Sequence, residues 1–157
     1  MPQIEMQHVT KYFTNEQRRF TAIDDVSLTI ERGEFVFLIG SSGAGKTTLL
    51  RLLANQIVAD EGKIWLDDVE LTRLRGWRRP VYRRNIGQVW QDASLIRKKT
   101  VRQNLELVQR ALGVKSKVIP ENTRKALSIV GMRAMEDRYP FELSGGQVKM
   151  VELARAI

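Results

Sequence analysis

The chain has 157 residues, 43% of them hydrophobic and none of them cysteine, enough for one modest core and without the means for a disulfide or a thiolate metal site. Basic residues outnumber acidic ones by 26 to 18, a net charge of +8. No apolar run approaches the roughly 20 residues that span a bilayer, and the first residues are too polar for a signal peptide, so any membrane association is expected to run through a partner.

From the start to about residue 30, apolar and polar side chains alternate, with Ile4 and Met6, then Val26, Leu28 and Ile30, which predicts half-buried antiparallel strands. The polar stretch from Asn15 to Arg19 fits a hairpin loop between them. Phe35-Val36-Phe37-Leu38-Ile39 is a continuous apolar run and predicts a buried parallel strand. It leads into Gly40-Ser41-Ser42-Gly43-Ala44-Gly45-Lys46-Thr47, which fits G-x-x-x-x-G-K-[ST], and a helix is predicted to open at Thr48 and run through Ala54. The chemistry needs that order of strand, loop and helix. Glycines at 40, 43 and 45 let the backbone take positive φ and bring successive N–H groups against a polyphosphate, while the helix N-terminus adds partial positive charge. Lys46 is then placed to reach the β- and γ-phosphates, and the Thr47 hydroxyl to ligate Mg2+.

Gly62-Lys63-Ile64-Trp65-Leu66 predicts a further strand. Arginines then crowd at 73, 75, 78, 79, 83 and 84, beside Trp77 and Tyr82. With Pro80 suited to a first helical turn, the segment reads as a basic helix whose face turns toward acidic lipid headgroups or a partner's loop rather than nucleic acid. Ile86-Gly87-Gln88-Val89-Trp90-Gln91 predicts a strand that ends in glutamine. Beyond residue 92 the pattern becomes helical. Thr100 and Gln103 make a capping box, Val101, Leu105, Val108 and Leu112 mark one helix face, and Gly113 ends it. A second helix is predicted from near Pro120 to Gly131, with Ala126, Leu127 and Val130 on one face.

Leu143-Ser144-Gly145-Gly146-Gln147 is the second constellation. Ser144 and Gln147 form a Ser-x-x-Gln capping box for a helix reaching Ala156, and the free N–H groups of its first turn, beside Gly145 and Gly146, suit a phosphate. The pentapeptide resembles the signature motif of ABC ATPases, which arises by chance in on the order of one in several thousand chains of this length. The resemblance implies an α/β fold: a P-loop NTPase core with an antiparallel β subdomain over residues 1–91, an inserted helical subdomain over 92–142, and the signature helix over 143–157. It implies ATP and Mg2+ as ligands, held by Gly40 to Thr48. It also implies a homodimer in which Ser144, Gly145, Gly146 and Gln147 face the ATP of the partner chain. Gln91, 45 residues after Lys46 and 53 before Ser144, falls where the family carries its Q-loop glutamine, which touches Mg2+ and the attacking water. Phe13, four residues after Val9 in Val9-Thr10-Lys11-Tyr12-Phe13, falls where the family stacks an aromatic ring on adenine; core packing is the other reading for Phe13 and Tyr12.

For hydrolysis the family uses an apolar strand ending in Asp, a neighbouring Glu as general base and a histidine, all after the signature helix. Ile64-Trp65-Leu66-Asp67-Asp68 precedes the signature and reads as a peripheral hairpin. Glu152 lies inside the signature helix and is expected to be exposed or ion-paired, and His8, the one histidine, precedes the phosphate loop. The chain is therefore expected to be the N-terminal part of such an ATPase, with Gln91 its one catalytic-site residue and little turnover alone. The flanking segments Gly33 to Gly40, Thr72-Arg73-Leu74 and Tyr82 to Gly87 resemble the FtsE subfamily of cell-division ATPases. That resemblance implies an FtsX-like integral membrane subunit, control of cell-wall hydrolysis, a peripheral place on the cytoplasmic face of the bacterial inner membrane, and no nucleic acid. ATPases of lipoprotein or macrolide export and of amino-acid import share the same motifs. A short, non-hydrolysing ATP-binding regulator is the alternative from another class. A DNA-repair ATPase of the superfamily is disfavoured, since 97 residues separate Lys46 from Leu143, with no long heptad run.

Overall fold

The computed structural model of the chain describes residues 3–16, 18–92 and 94–157; Gln17 of the expected hairpin loop and Ala93 beyond Gln91 lie outside the described residues. The chain divides into two units, Met1–Asn85 and Ile86–Ile157.

In the first unit, β1 (Ile4–Thr14) and β2 (Arg19–Ile30) pair antiparallel, with Ile4 opposite Ile30 and Phe13 opposite Phe20. β3 (Glu61–Leu66) pairs with the other edge of β1, and β4 (Val69–Glu70) completes a sheet of order β2-β1-β3-β4. Met6 and Val9 are three residues apart yet both fully buried, which a strict period of two forbids. An irregularity in the ladder between them, with His8 at φ 49, restores the facing of Val9. Met6, Val9, Ile23 and Ile64 then meet Leu49 and Leu52 of α1 (Lys46–Leu53), the helix that follows the phosphate loop. Asp67 sits just after β3 at φ 50 and pairs with Arg32, so the Ile64–Asp68 segment is a hairpin of this antiparallel sheet.

Two sequence expectations fail here for one reason. Phe35–Ile39 forms no strand, and its side chains are open to solvent, Phe35 at 82% and Ile39 at 89% exposure. Ile86–Trp90 is likewise irregular. A parallel strand exists only through ladder bonds to neighbouring strands and cover on both faces. Among the described residues the one sheet is the antiparallel one, and no strand pairs with either run.

The second unit is helical. α3 (Val101–Ala111) and α4 (Ile119–Ile129) match the predicted helices within two residues, and α5 (Gly145–Ala156) follows Ser144. The capping box at Thr100 is formed in both directions, Thr100 Oγ1 accepting from the Gln103 amide and Gln103 Oε1 from the Thr100 amide. Val101 and Leu105 of α3, Leu127 of α4, and Val151 and Ala154 of α5 share one core with Leu95 and Met132. Val108 is only partly covered and Leu112 is exposed, so the α3 face is buried over its first half. The sequence reading missed Asn104, a buried amide that anchors the preceding loop. Its Oδ1 accepts from the Ile96 amide at 2.7 Å, and its Nδ2 donates to the carbonyls of Ile96, Lys99 and Thr100.

Candidate nucleotide site

The phosphate loop turns in two left-handed steps, Gly43 at φ 81 and Gly45 at φ 82. Gly40 does not share that conformation; a Cβ there would instead crowd Ala44 Cβ at 3.3 Å, so its role is close approach. Gly45 is the N-cap of α1 and lies against β2, where an added Cβ would come within 2.4 Å of the Ala22 carbonyl oxygen. This contact fixes the loop to the sheet. Gly45→Ala is expected to destabilise the first unit by about 2–3 kcal/mol, combining a left-handed alanine with a backbone clash. Gly43→Ala, with open space around it, should cost only the conformational part, about 1–2 kcal/mol. Urea midpoints of the two variants measure the difference.

Lys46 Nζ donates to the Gly40 carbonyl at 2.7 Å and to the Ser41 carbonyl at 2.6 Å. The ammonium thus bridges back to the start of the loop from the first residue of α1, which sets a cation beside a helix start whose first N–H groups have no acceptor in the helical pattern. Ser41, Ser42 and Thr47 are exposed along it, and Thr48 is half-buried. The donor set suits a polyphosphate. Thr47 presents one hard oxygen of the kind Mg2+ takes alongside waters and phosphates.

On β1, Phe13 is half-buried and lies 5.8 Å from Phe20, ring centre to ring centre, with the Lys11 ammonium 5.6 Å from its centroid. It is not one of the rings filling the buried cluster, and neither is Tyr12. Tyr12 is engaged elsewhere. Arg19 stacks on it at 3.6 Å, and its hydroxyl donates to Glu61 at 3.0 Å, a bond that raises its pKa.

In the second unit, α5 is capped by Ser144, whose Oγ accepts from the Gln147 amide while Gln147 Oε1 accepts from the Ser144 amide at 2.9 Å. Ser144, Gly145 and Gly146 are exposed, and a Cβ on either glycine would meet no atom within 4 Å. The amides of Gly145 and Gly146 open the helix, where the α-helical pattern supplies no acceptor. A phosphate can approach them unhindered.

Gln91 is exposed at the end of the irregular segment that begins at Ile86. That segment is locked to α5 on both sides of Gln91. Lys149 donates to the Trp90 carbonyl and pairs with Glu152 at 2.8 Å. Glu152, fully buried, accepts from the Ser94 amide at 2.5 Å and the Ser94 hydroxyl at 3.0 Å, while Arg155 donates to the Ser94 carbonyl at 2.9 Å. Gly87 packs against the Ala156 carbonyl so closely that a Cβ would stand 2.2 Å from it. Burial pushes the Glu152 carboxyl up, but the Lys149 ammonium and the two Ser94 donors outweigh it and hold the group below the ordinary carboxylate range. Glu152 is thus ion-paired as expected but not exposed. The sequence signal for burial was its place between Val151 and Ala154, both on the core face, with Lys149 one turn before it.

The profile of the ABC transporter family matches residues 23–157. The chain belongs to the ABC transporter family. Two relatives are 38% identical to this ABC chain over 98% of its length: methionine import ATP-binding protein MetN 4 of Oceanobacillus iheyensis and cell division ATP-binding protein FtsE of Mycobacterium tuberculosis. The chain spans 45% of the former and 66% of the latter. Among solved structures, the dimeric ABC transporter cassette MJ0796 matches with a TM-score of 0.90 at 29% identity, covering 98% of this chain and 68% of that one. The same cassette in a post-hydrolysis state bound to ADP and Pi matches equally, at 28% identity. The fold is therefore the ABC cassette fold of P-loop NTPases.

Proposed function

We propose that the chain is the nucleotide-binding part of a membrane ABC complex and that MgATP is held by Gly40 to Thr48, with Phe13 against the adenine and Thr47 and Gln91 at Mg2+. Ser144, Gly145, Gly146 and Gln147 bind the γ-phosphate of a partner subunit's ATP, and Gln91 orients the attacking water. The observation that carries this reading is Lys46 closing the phosphate loop in a chain that also presents the open signature helix start. Division into residues 1–91, 92–142 and 143–157 follows from the same reading. Within the family we favour an FtsE-like role with an FtsX-like membrane subunit, acting at the cytoplasmic face of the bacterial inner membrane in cell division. This rests on the FtsE-like segments around the phosphate loop and before Gln91, together with the FtsE relative.

A methionine importer's ATPase is the second reading, favoured by relatives of equal identity. Co-expression of the cassette with an FtsX-type subunit and, separately, with the membrane subunit of a methionine importer separates the two by which one co-purifies. Ser144→Arg tests the site itself. MgATP affinity is expected to stay within about twofold, since the residue serves the other subunit's nucleotide, while ATP-driven dimerisation of a cassette of its relatives' length is lost, as read by light scattering. Loss of ATP binding by this variant would contradict the proposed division of labour.

A further inference from the structure

We propose that residues 73–84 form a docking face for an anionic phospholipid surface. The face is built on the first unit, where Leu74 and Tyr82 pack against the buried cluster and hold α2 (Arg79–Arg83) in place. From residue 71 to residue 85 there are six arginines and no carboxylate. Arg73 is neutralised by Glu70 at 3.0 Å, and Arg79 donates to the Leu74 carbonyl. Arg75, Arg78, Arg83 and Arg84 are exposed, and among the described residues none of them has an ion-pair partner. Four unbalanced guanidinium groups on one short anchored segment call for anionic charge from outside the chain.

The side chains between them choose the kind of anion. Trp77 is 69% exposed and Val81 52% exposed, large apolar groups left in water among charges. Arg78 lies 5.0 Å from the Trp77 ring, and the two line an open surface pocket of about 240 Å3 with Arg73, Leu74 and Arg75. A bilayer interface satisfies both demands at once, because tryptophan settles at headgroup level and arginine is drawn to anionic leaflets. Nucleic acid satisfies only one. Its phosphates would meet the arginines, and in a single strand a base would stack on Trp77, but Val81 would gain nothing from a polyanionic backbone.

The test is co-sedimentation of the chain with phosphatidylcholine vesicles containing phosphatidylglycerol, against vesicles of phosphatidylcholine alone. Binding to the anionic vesicles only, weakened by salt, is expected. Arg83→Gln with Arg84→Gln should weaken it roughly thirtyfold, at about fivefold per arginine. Lys115→Gln with Lys117→Gln removes the same charge from an exposed loop elsewhere and should leave binding nearly unchanged. Arg75→Gln with Arg78→Gln serves if the first pair unfolds the chain, as judged by circular dichroism. Equal binding to neutral vesicles, equal loss in the lysine control, or displacement by excess MgATP would overturn the proposal. So would tighter, arginine-dependent binding to a DNA oligonucleotide.

Discussion

A chain carrying Lys46→Ala is expected to lose MgATP affinity by roughly a hundredfold, the upper end of what hydrogen bonds to charged groups contribute. Lys46 is the cation of the phosphate loop and also its brace, because its ammonium bonds the carbonyls of Gly40 and Ser41. Both roles end with the side chain. Stability should fall much less than binding, since the lysine is only half-buried and its two acceptors can turn to water. Equilibrium titration with a fluorescent ATP analogue, alongside urea unfolding, separates the two effects. Undiminished nucleotide binding by the variant would show that the phosphates are held elsewhere.

Glu152→Ala is expected to destabilise the helical unit by about 1–3 kcal/mol, since the carboxylate is fully buried while Lys149 and Ser94 reach solvent and can turn to water. The Ser94 amide and hydroxyl lose their shared acceptor, and Lys149 loses its ion-pair partner while keeping the Trp90 carbonyl. Hydrogen exchange should rise over residues 90–95 more than over α3 or α4, because the lock joins the Gln91 segment to α5. The pH dependence has a definite sign. The folded pKa of Glu152 lies below its unfolded value, so its stabilisation is present above the unfolded value and is lost as pH falls through the folded pKa. Glu152→Gln should therefore flatten the acid side of the stability profile, and parallel acid unfolding of variant and parent would show that the carboxylate is not the group responsible.

The phosphate loop and the signature helix were legible because their chemistry is local. A helix start, two glycines able to take positive φ and a lysine in the first turn are specified by neighbours in sequence, and so is the Ser144–Gln147 capping box. α3 and α4 were legible for a similar reason, since their apolar spacing and caps lie within one segment. The role of Glu152 was not. Whether a helical glutamate meets water or the Ser94 amide depends on a segment 58 residues away, and no periodicity reports that. Asn104 escaped notice too, because its value lies in the loop carbonyls brought to it by the turn before α3.

Phe35–Ile39 shows the opposite failure. Its composition specifies a strand meant for burial, and the residues themselves can do no more than that. A strand is a relation between segments, completed by ladder bonds and cover that neighbouring chain must bring. The phosphate loop needs no such completion, which is why it keeps its shape beside a run that does not. Local backbone preference and side-chain chemistry thus shape the Gly40–Thr48 loop and the capped start of α5, whereas burial, strand pairing and the Glu152 lock arise only when distant segments exclude water together.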